Sequence, residues 1–506
     1  MNSRVKRVLI LGGGSAGFLA AISLKTKLPQ LEVVVIRSKE IGTIMVGEGT
    51  TDSVPRFLHG YLQIDPGLFY AQARPSWKLG IRFLWGGRPH FNYTFTRQLD
   101  NQLSGLPRAN GYYCEENFEY ADVTGALMQH DRVFARDQNG LPVVDMFTAY
   151  HLENEKIVSF FEDYAPRLGI EVLDDTVDDV CQNNLGISEV KLKSGRSEKA
   201  DLFVDCSGFR SVLLRGALKE PFISYDSSLF CDRAVTGGWM RGDDEPILPY
   251  TTSETMDAGW AWKIEHETLV NRGYVYSSSF ISDEDAEDEF RKKNPKVEST
   301  RIVKFATGRY RNMWVKNVVA IGNAGGFVEP LEASSLATIC EACAYLVKSL
   351  SEANLTIEPT QVRLYNRFAN KLWDNIRKFL AVHYRFNTRM ETPFWQACCA
   401  DVDLAGAEEI VEYYRANGPA LTWGHMILGA YDPFGYEGYL NMLVGQKVRY
   451  KNTYQPTAQE WRVWNQARAE MLIIARQGFS VREALNMVYD PRWSWDIEFF
   501  KRAAYW

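Results

Sequence analysis

The sequence predicts an α/β protein with a nucleotide-binding unit at its start, a mixed β region in the middle and a mainly helical C-terminal part. Three observations carry this. The chain opens with an apolar run, a glycine turn and an amphipathic stretch; strand-like runs recur up to a second glycine turn at Gly322–Gly326; and helical spacing dominates from Leu336 onward. In order, Arg4–Leu11 reads as a buried strand, Gly12–Gly17 as the turn, Phe18–Lys27 as a helix and Leu31–Ile36 as a second buried strand. At 506 residues the chain is long enough for such a core with large insertions.

Gly12, Gly14 and Gly17, with Ser15 and Ala16 between, satisfy G-x-G-x-x-G after a strand and at the start of a helix. In that setting the glycines permit a tight turn, close approach of the backbone to a pyrophosphate and close helix–strand packing. The helix N-terminus then offers free N–H groups and positive potential to the phosphates. About 20 positions further on, where a carboxylate for the ribose hydroxyls is expected, stands Arg37-Ser38, so Ser38, a backbone group or the next carboxylate, Glu40, is left for that task.

The segment IGTIMVGEGTTDSVP is too polar and punctuated for a regular element, and residues 75–150 read as an inserted set of strands and long loops. A helix over 151–168 leads into strands at Ile170–Leu173 and Ser188–Leu192 and the run ADLFVDCSG; further strand-like stretches fill 222–300. The division expected is a nucleotide-binding module over 1–345 and a helical, substrate-side module over 346–506.

Several function classes are disfavoured. A net charge of −6 argues against nucleic acid as the main partner. The seven histidines show no HxH or HExxH spacing, so no metal site is expected. Cys340-Glu-Ala-Cys343 sits inside an apolar helical run without a second CxxC, and reads as core packing. There is no apolar run long enough for a membrane helix, and the N-terminus enters its first strand without room for a signal peptide, so a cytoplasmic protein is expected. The 14 Trp, 25 Tyr and 27 Phe suit either core anchors or a pocket that stacks a flat substrate.

Two later segments bear on the cofactor. ADLFVDCSGFRSVLLRG resembles the Asp-Gly segment of glutathione-reductase-type flavin monooxygenases, and NVVAIGNAGGFVEP their Gly-Asp segment, with Asn323 at the usual Asp position. Four more segments resemble the tryptophan-halogenase family of flavin enzymes, in family order: Val46-Gly-Glu48-Gly-Thr50, Trp77-Lys78-Leu-Gly-Ile81, Gly259-Trp260-Ala-Trp262-Lys-Ile264 and Phe327-Val-Glu-Pro-Leu-Glu332-Ala-Ser334.

The resemblance implies an FAD-binding fold of the glutathione-reductase/monooxygenase type and an FADH2-dependent halogenase. FAD, used as FADH2, would meet Gly12, Gly14, Ser15, Ala16, Gly17, Ser38, Glu48, Gly322, Asn323 and Leu336. O2 and a halide ion would yield hypohalous acid, the halide resting at Ser334 and Ser335, where the family usually has Gly at the second position. Trp260, Trp262 and Ile264 would partition flavin from substrate, with Glu265 where the family motif has Pro. Lys78 would hold the oxidant and Glu332 polarise it or take the ring proton. The partners implied are a separate flavin reductase and a small electron-rich aromatic substrate; a homodimer is left open. Taken singly, Lys78 reads as a surface lysine, Glu332 as a first-turn carboxylate, and the Trp pair as core. An aromatic hydroxylating monooxygenase and a non-catalytic flavin-binding protein are the alternatives; regiochemistry and halide preference are not legible.

Overall fold

A computed structural model describes residues 4–40, 47–114, 118–429 and 431–504. Val46 and the rest of 41–46 lie outside the described residues.

The opening strand, Arg7–Leu11, has buried side chains along nearly its whole length, as an inner strand covered on both faces requires. It pairs in parallel with Glu32–Arg37 on one side and Leu202–Asp205 on the other. Outward from these, Glu171–Asp174 joins the first and Val318–Ala320 the second, and Trp314–Val315 closes that edge antiparallel. The helix Ser15–Lys27 crosses from the first strand to the second and packs on a later helix, Ser335–Glu352. This is the expected α/β sheet.

The turn between the first strand and helix needs its glycines. Gly12 has φ +124°, and a Cβ there would lie 2.2 Å from the carbonyl oxygen of Cys206. A Cβ on Gly17 would lie 1.8 Å from the carbonyl oxygen of Gly12. At Gly14 a Cβ would meet nothing within 4 Å, so the helix N-terminus faces open space.

The inserted regions build a second, seven-stranded sheet in the order Arg301–Lys304, Arg233–Met240, Leu269–Tyr276, Gly259–Glu265, Thr251–Met256, Gly80–Leu84 and Phe91–Thr94. A small sheet sets Ala149–Leu152 between Glu48–Gly49 and Ser76–Lys78. Two residues beyond Lys78, the chain enters the seven-stranded sheet at Gly80. Lys78 therefore sits where the chain passes from one sheet to the other.

The 75–150 region also holds the helix Val123–Gln129, which loops and strands did not foretell; the Asp122 side chain caps it by accepting from the Gly125 N–H, and the helix docks on Ala458–Arg476. The helix Ser335–Glu352 runs through residue 345, where the first module was expected to end. The next helix, Pro359–Phe386, is tied to the edge strand of the first sheet, because the Asn366 amide accepts from the Trp314 N–H (2.7 Å) and donates to its carbonyl (2.8 Å). Cys340 and Cys343 are buried free thiols in the core between these helices.

Gly17→Ala is expected to lower stability by about 2 kcal/mol or more, since the new methyl would press on backbone that cannot step aside. Urea unfolding followed by Trp fluorescence checks this, and an unchanged midpoint would contradict the packing described.

Candidate active site

At the glycine turn, Gly322 (φ +68°) lies against Ala16, so the second glycine turn abuts the first helix. Asp205 is buried, and its carboxylate accepts from the N–H groups of Leu213 (2.7 Å) and Leu214 (2.9 Å), shaping the turn after its strand. Ser15 Oγ donates to Asn154 (3.2 Å), and Asn323 stands half-buried beside the open turn. Ser38 is engaged with Thr176 (2.8 Å), Arg37 with Glu162, and Glu40 is exposed near Lys193 (3.5 Å).

Glu48 is the carboxylate that faces inward. Burial pushes it up to about 7, and its Oε2 is buried without a hydrogen-bond partner. An orphaned carboxylate oxygen, together with the open space at Gly14 and the helix N-terminus, fits a dinucleotide with free hydroxyl or N–H donors.

Lys78 ends the strand Ser76–Lys78 and is fully buried (0% exposed), against the surface reading that a lone lysine invites. Its Nζ donates to the Thr50 carbonyl at 3.0 Å and lies 5.4 Å from the centre of the Phe95 ring. Room for it comes from Gly49, where a Cβ would be 3.3 Å from Nζ and 3.6 Å from the Ala333 side chain. Lys78 and the Glu332-Ala333 turn thus flank one glycine. Burial lowers the ammonium from 10.5 to about 7, and the Glu332 charge opposes the fall.

Glu332 is buried (3% exposed) at the end of the turn Pro330–Glu332, with Ala333 left-handed (φ +53°) before the helix Ser335–Glu352. Ser334 occupies the cap position without capping the helix through its side chain, Ser335 is exposed, and Leu336 is buried. The helix therefore begins without a side-chain cap, next in sequence to buried Glu332, and its free N–H groups suit a small anion.

Trp260 and Trp262 project from one face of the strand Gly259–Glu265, ring centres 6.1 Å apart, with Ile264 next along that face. Gly273 on the neighbouring strand makes space for Trp262, since a Cβ there would lie 2.1 Å from its ring. Glu265, standing for the motif proline, is buried and held by Arg241 and Lys263 (2.7 Å).

Two histidines at the site have no sequence signal. His383, 51 residues after Glu332, contacts its Oε1 at 2.6 Å. His151 pairs in register with Ser76 and meets Thr251 Oγ1 at 2.9 Å; burial first, then the Lys78 charge, keeps it neutral. The aromatic side chains of Phe394, Trp395, Tyr436 and Tyr439 are buried. Trp395 Nε1 donates to the Met256 carbonyl (2.7 Å), and Tyr436 to that of Ala420 (2.7 Å). Among the described residues no group of three His, Cys, Asp or Glu is placed to hold a metal ion.

A mainly parallel sheet with a glycine turn after its first strand, a second sheet that carries Trp260 and Trp262 on one face, and buried Lys78 and Glu332 near Gly49 make the frame of an FAD-binding oxidoreductase. The sequence profile of the tryptophan halogenase family matches residues 7–461, and the chain belongs to that family. It is 32% identical over 450 residues to the tryptophan 6-halogenase ThaL of Streptomyces albogriseolus, covering 83% of each chain. To the tryptophan 7-halogenase RebH of Lentzea aerocolonigenes it is 30% identical over 464 residues, covering 85% of this chain and 87% of that one. The crystal structure of MibH, a lathipeptide tryptophan 5-halogenase, superposes with a TM-score of 0.86 at 36% identity, covering 96% of this chain and 94% of that one. The protein is a flavin-dependent halogenase that uses FADH2, O2 and halide, and its family implies an aromatic substrate and a separate flavin reductase.

The burial of Lys78 makes a signed prediction for stability. Its folded-state value, about 7, lies below the ordinary 10.5, so between these values the unfolded chain binds more protons and stability rises with pH. Below pH 7 the full penalty is present, up to about 5 kcal/mol at about 1.4 kcal/mol per pH unit. Lys78→Met should therefore raise the urea midpoint most at pH 6, the gain shrinking toward pH 10. A gain independent of pH would contradict this.

Proposed function

We propose that Lys78 and Glu332 together perform the halogen-transfer step on an indole ring, and that the remaining predicted residues hold the reagents apart until they reach this pair. The observation that carries this reading is a fully buried lysine whose ammonium feels the charge of a buried carboxylate, with Gly49 packed against the lysine Nζ and the turn that follows the carboxylate. Such a pair is costly for folding alone and useful for polarising an oxidant.

Bound FAD, as FADH2 with O2, would supply the oxidising power that turns halide into hypohalous acid. Gly12, Gly14, Ser15, Ala16 and Gly17 would seat its pyrophosphate, with Gly322, Asn323, Glu48 and Leu336 along its length. Ser38, engaged with Thr176, would border the ribose, and the N–H groups beginning at Ser334 and Ser335 would hold the halide. Trp260, Trp262 and Ile264 would wall the ring substrate from the flavin.

At the pair the balance is simple. The Lys78 ammonium donates to the oxygen of hypohalous acid; the ring attacks the halogen; the oxygen leaves as water with the Lys78 proton. The arenium C–H proton passes to Glu332, which returns it to Lys78. Aromatic ring plus hypohalous acid gives halogenated ring plus water. The names of the relatives direct the choice of ring to tryptophan, free or within a peptide.

Purified protein with FAD, a flavin reductase, NADH, bromide, and tryptophan, indole or a tryptophan-containing peptide should yield a product with the bromine isotope doublet in its mass spectrum. Lys78→Ala and Glu332→Gln should each lower product formation by roughly 100-fold or more, while a chemical trap still detects hypobromous acid. A Lys78→Ala enzyme as active as the parent would overturn the reading.

A further inference from the structure

His383 lies on the long helix Pro359–Phe386 and is fully buried. Its ring is enclosed by Phe83 (centres 5.4 Å apart), Trp85 (6.1 Å) and Phe379 (4.7 Å). Among the described residues two polar contacts enter this apolar cage: Nδ1 to the Phe379 carbonyl at 2.9 Å, and Nε2 to Glu332 Oε1 at 2.6 Å.

Donor–acceptor accounting fixes the protons. A carbonyl oxygen only accepts, so Nδ1 carries hydrogen. A 2.6 Å contact between Nε2 and a carboxylate oxygen requires one further proton between them. The pair is therefore an imidazolium with a carboxylate, or an imidazole with a carboxylic acid, and it always engages Oε1. The other carboxyl oxygen, Oε2, is not the one His383 engages, and Lys78 and Tyr93 are ionisable groups that feel the Glu332 charge.

We propose that His383 is a positioning residue that keeps Glu332 competent to remove the ring proton. Resting on the Lys78–Glu332 reading above, it works as follows. The ring C–H bond breaks and its electron pair returns to the ring. The proton lands on Glu332 Oε2 while the proton on the Nε2–Oε1 axis stays with Nε2, so the carboxyl never holds two protons. Transfer from Oε2 to the Lys78 amine restores the starting state, with His383 neither consumed nor in contact with the substrate.

The test compares His383→Gln and His383→Phe with the parent enzyme, using tryptophan protonated or deuterated on the ring, bromide and excess reductase. FAD-binding fluorescence serves as the check on folding. If deprotonation depends on His383, kcat should fall roughly 10- to 100-fold, the KM for FAD should hold, and a ring-deuterium isotope effect absent from the parent should appear. His383→Gln, which keeps an N–H donor toward Glu332, should be the less impaired. Parent-like kcat, or lost kcat without an isotope effect, overturns the proposal. An inactive parent enzyme would instead sink the halogen-transfer reading itself. In the parent protein labelled with 15N-histidine, a strongly downfield imidazole N–H resonance should be present, and should vanish in Glu332→Gln. Its absence from the parent overturns the proposal whatever the fate of the variants.

Discussion

A lysine ammonium removed from water is the constraint around which the rest of this molecule is arranged. Lys78 is buried completely, its Nζ donates to a backbone carbonyl, and the Phe95 ring lies over it. Nothing in the folding of the two sheets requires a cation there. The nearby Glu332 charge offsets part of the cost, and burial still brings the ammonium down to about 7. At neutral pH the amine is thus available both as donor and as base, which a solvated lysine is not.

The fold meets that constraint by bringing separate segments to one glycine. Gly49 belongs to the small sheet, Lys78 to the strand that leaves it, and Ala333 to the turn that begins the helix Ser335–Glu352. The same helix packs on the first helix of the nucleotide unit, so the Glu332-Ala333 turn and the first glycine turn share one support. The second sheet supplies the tryptophan face, and the long helix Pro359–Phe386 supplies His383. No single module contains the site.

Much of this was legible in the sequence, for physical reasons. The βαβ unit announces itself because a glycine turn between a buried strand and a helix leaves few other arrangements, and the observed strands differ from the expected ones by a few residues at their ends. Trp260 and Trp262 were readable as neighbours because strand side chains alternate. The short helix Val123–Gln129 was not, since its seven residues have too little periodicity to stand out from a loop. His383 was invisible for a different reason: it meets Glu332 through tertiary packing across 51 positions, and a lone histidine on an apolar helix face looks like core. Trp395 and Tyr436 are buried aromatics whose polar tips end on backbone carbonyls, and Tyr439 donates to the Asp432 carboxylate (3.1 Å).

The central claim is that Lys78 is held near neutrality by burial. Titration of the protein labelled with 13C at the lysine ε-carbon, with Lys78→Met used to assign the signal, measures this directly. One resonance should move with a midpoint near 7, apart from the remaining lysines. A Lys78 midpoint at the ordinary 10.5 would mean that the amine is solvated like any surface lysine and would contradict its burial.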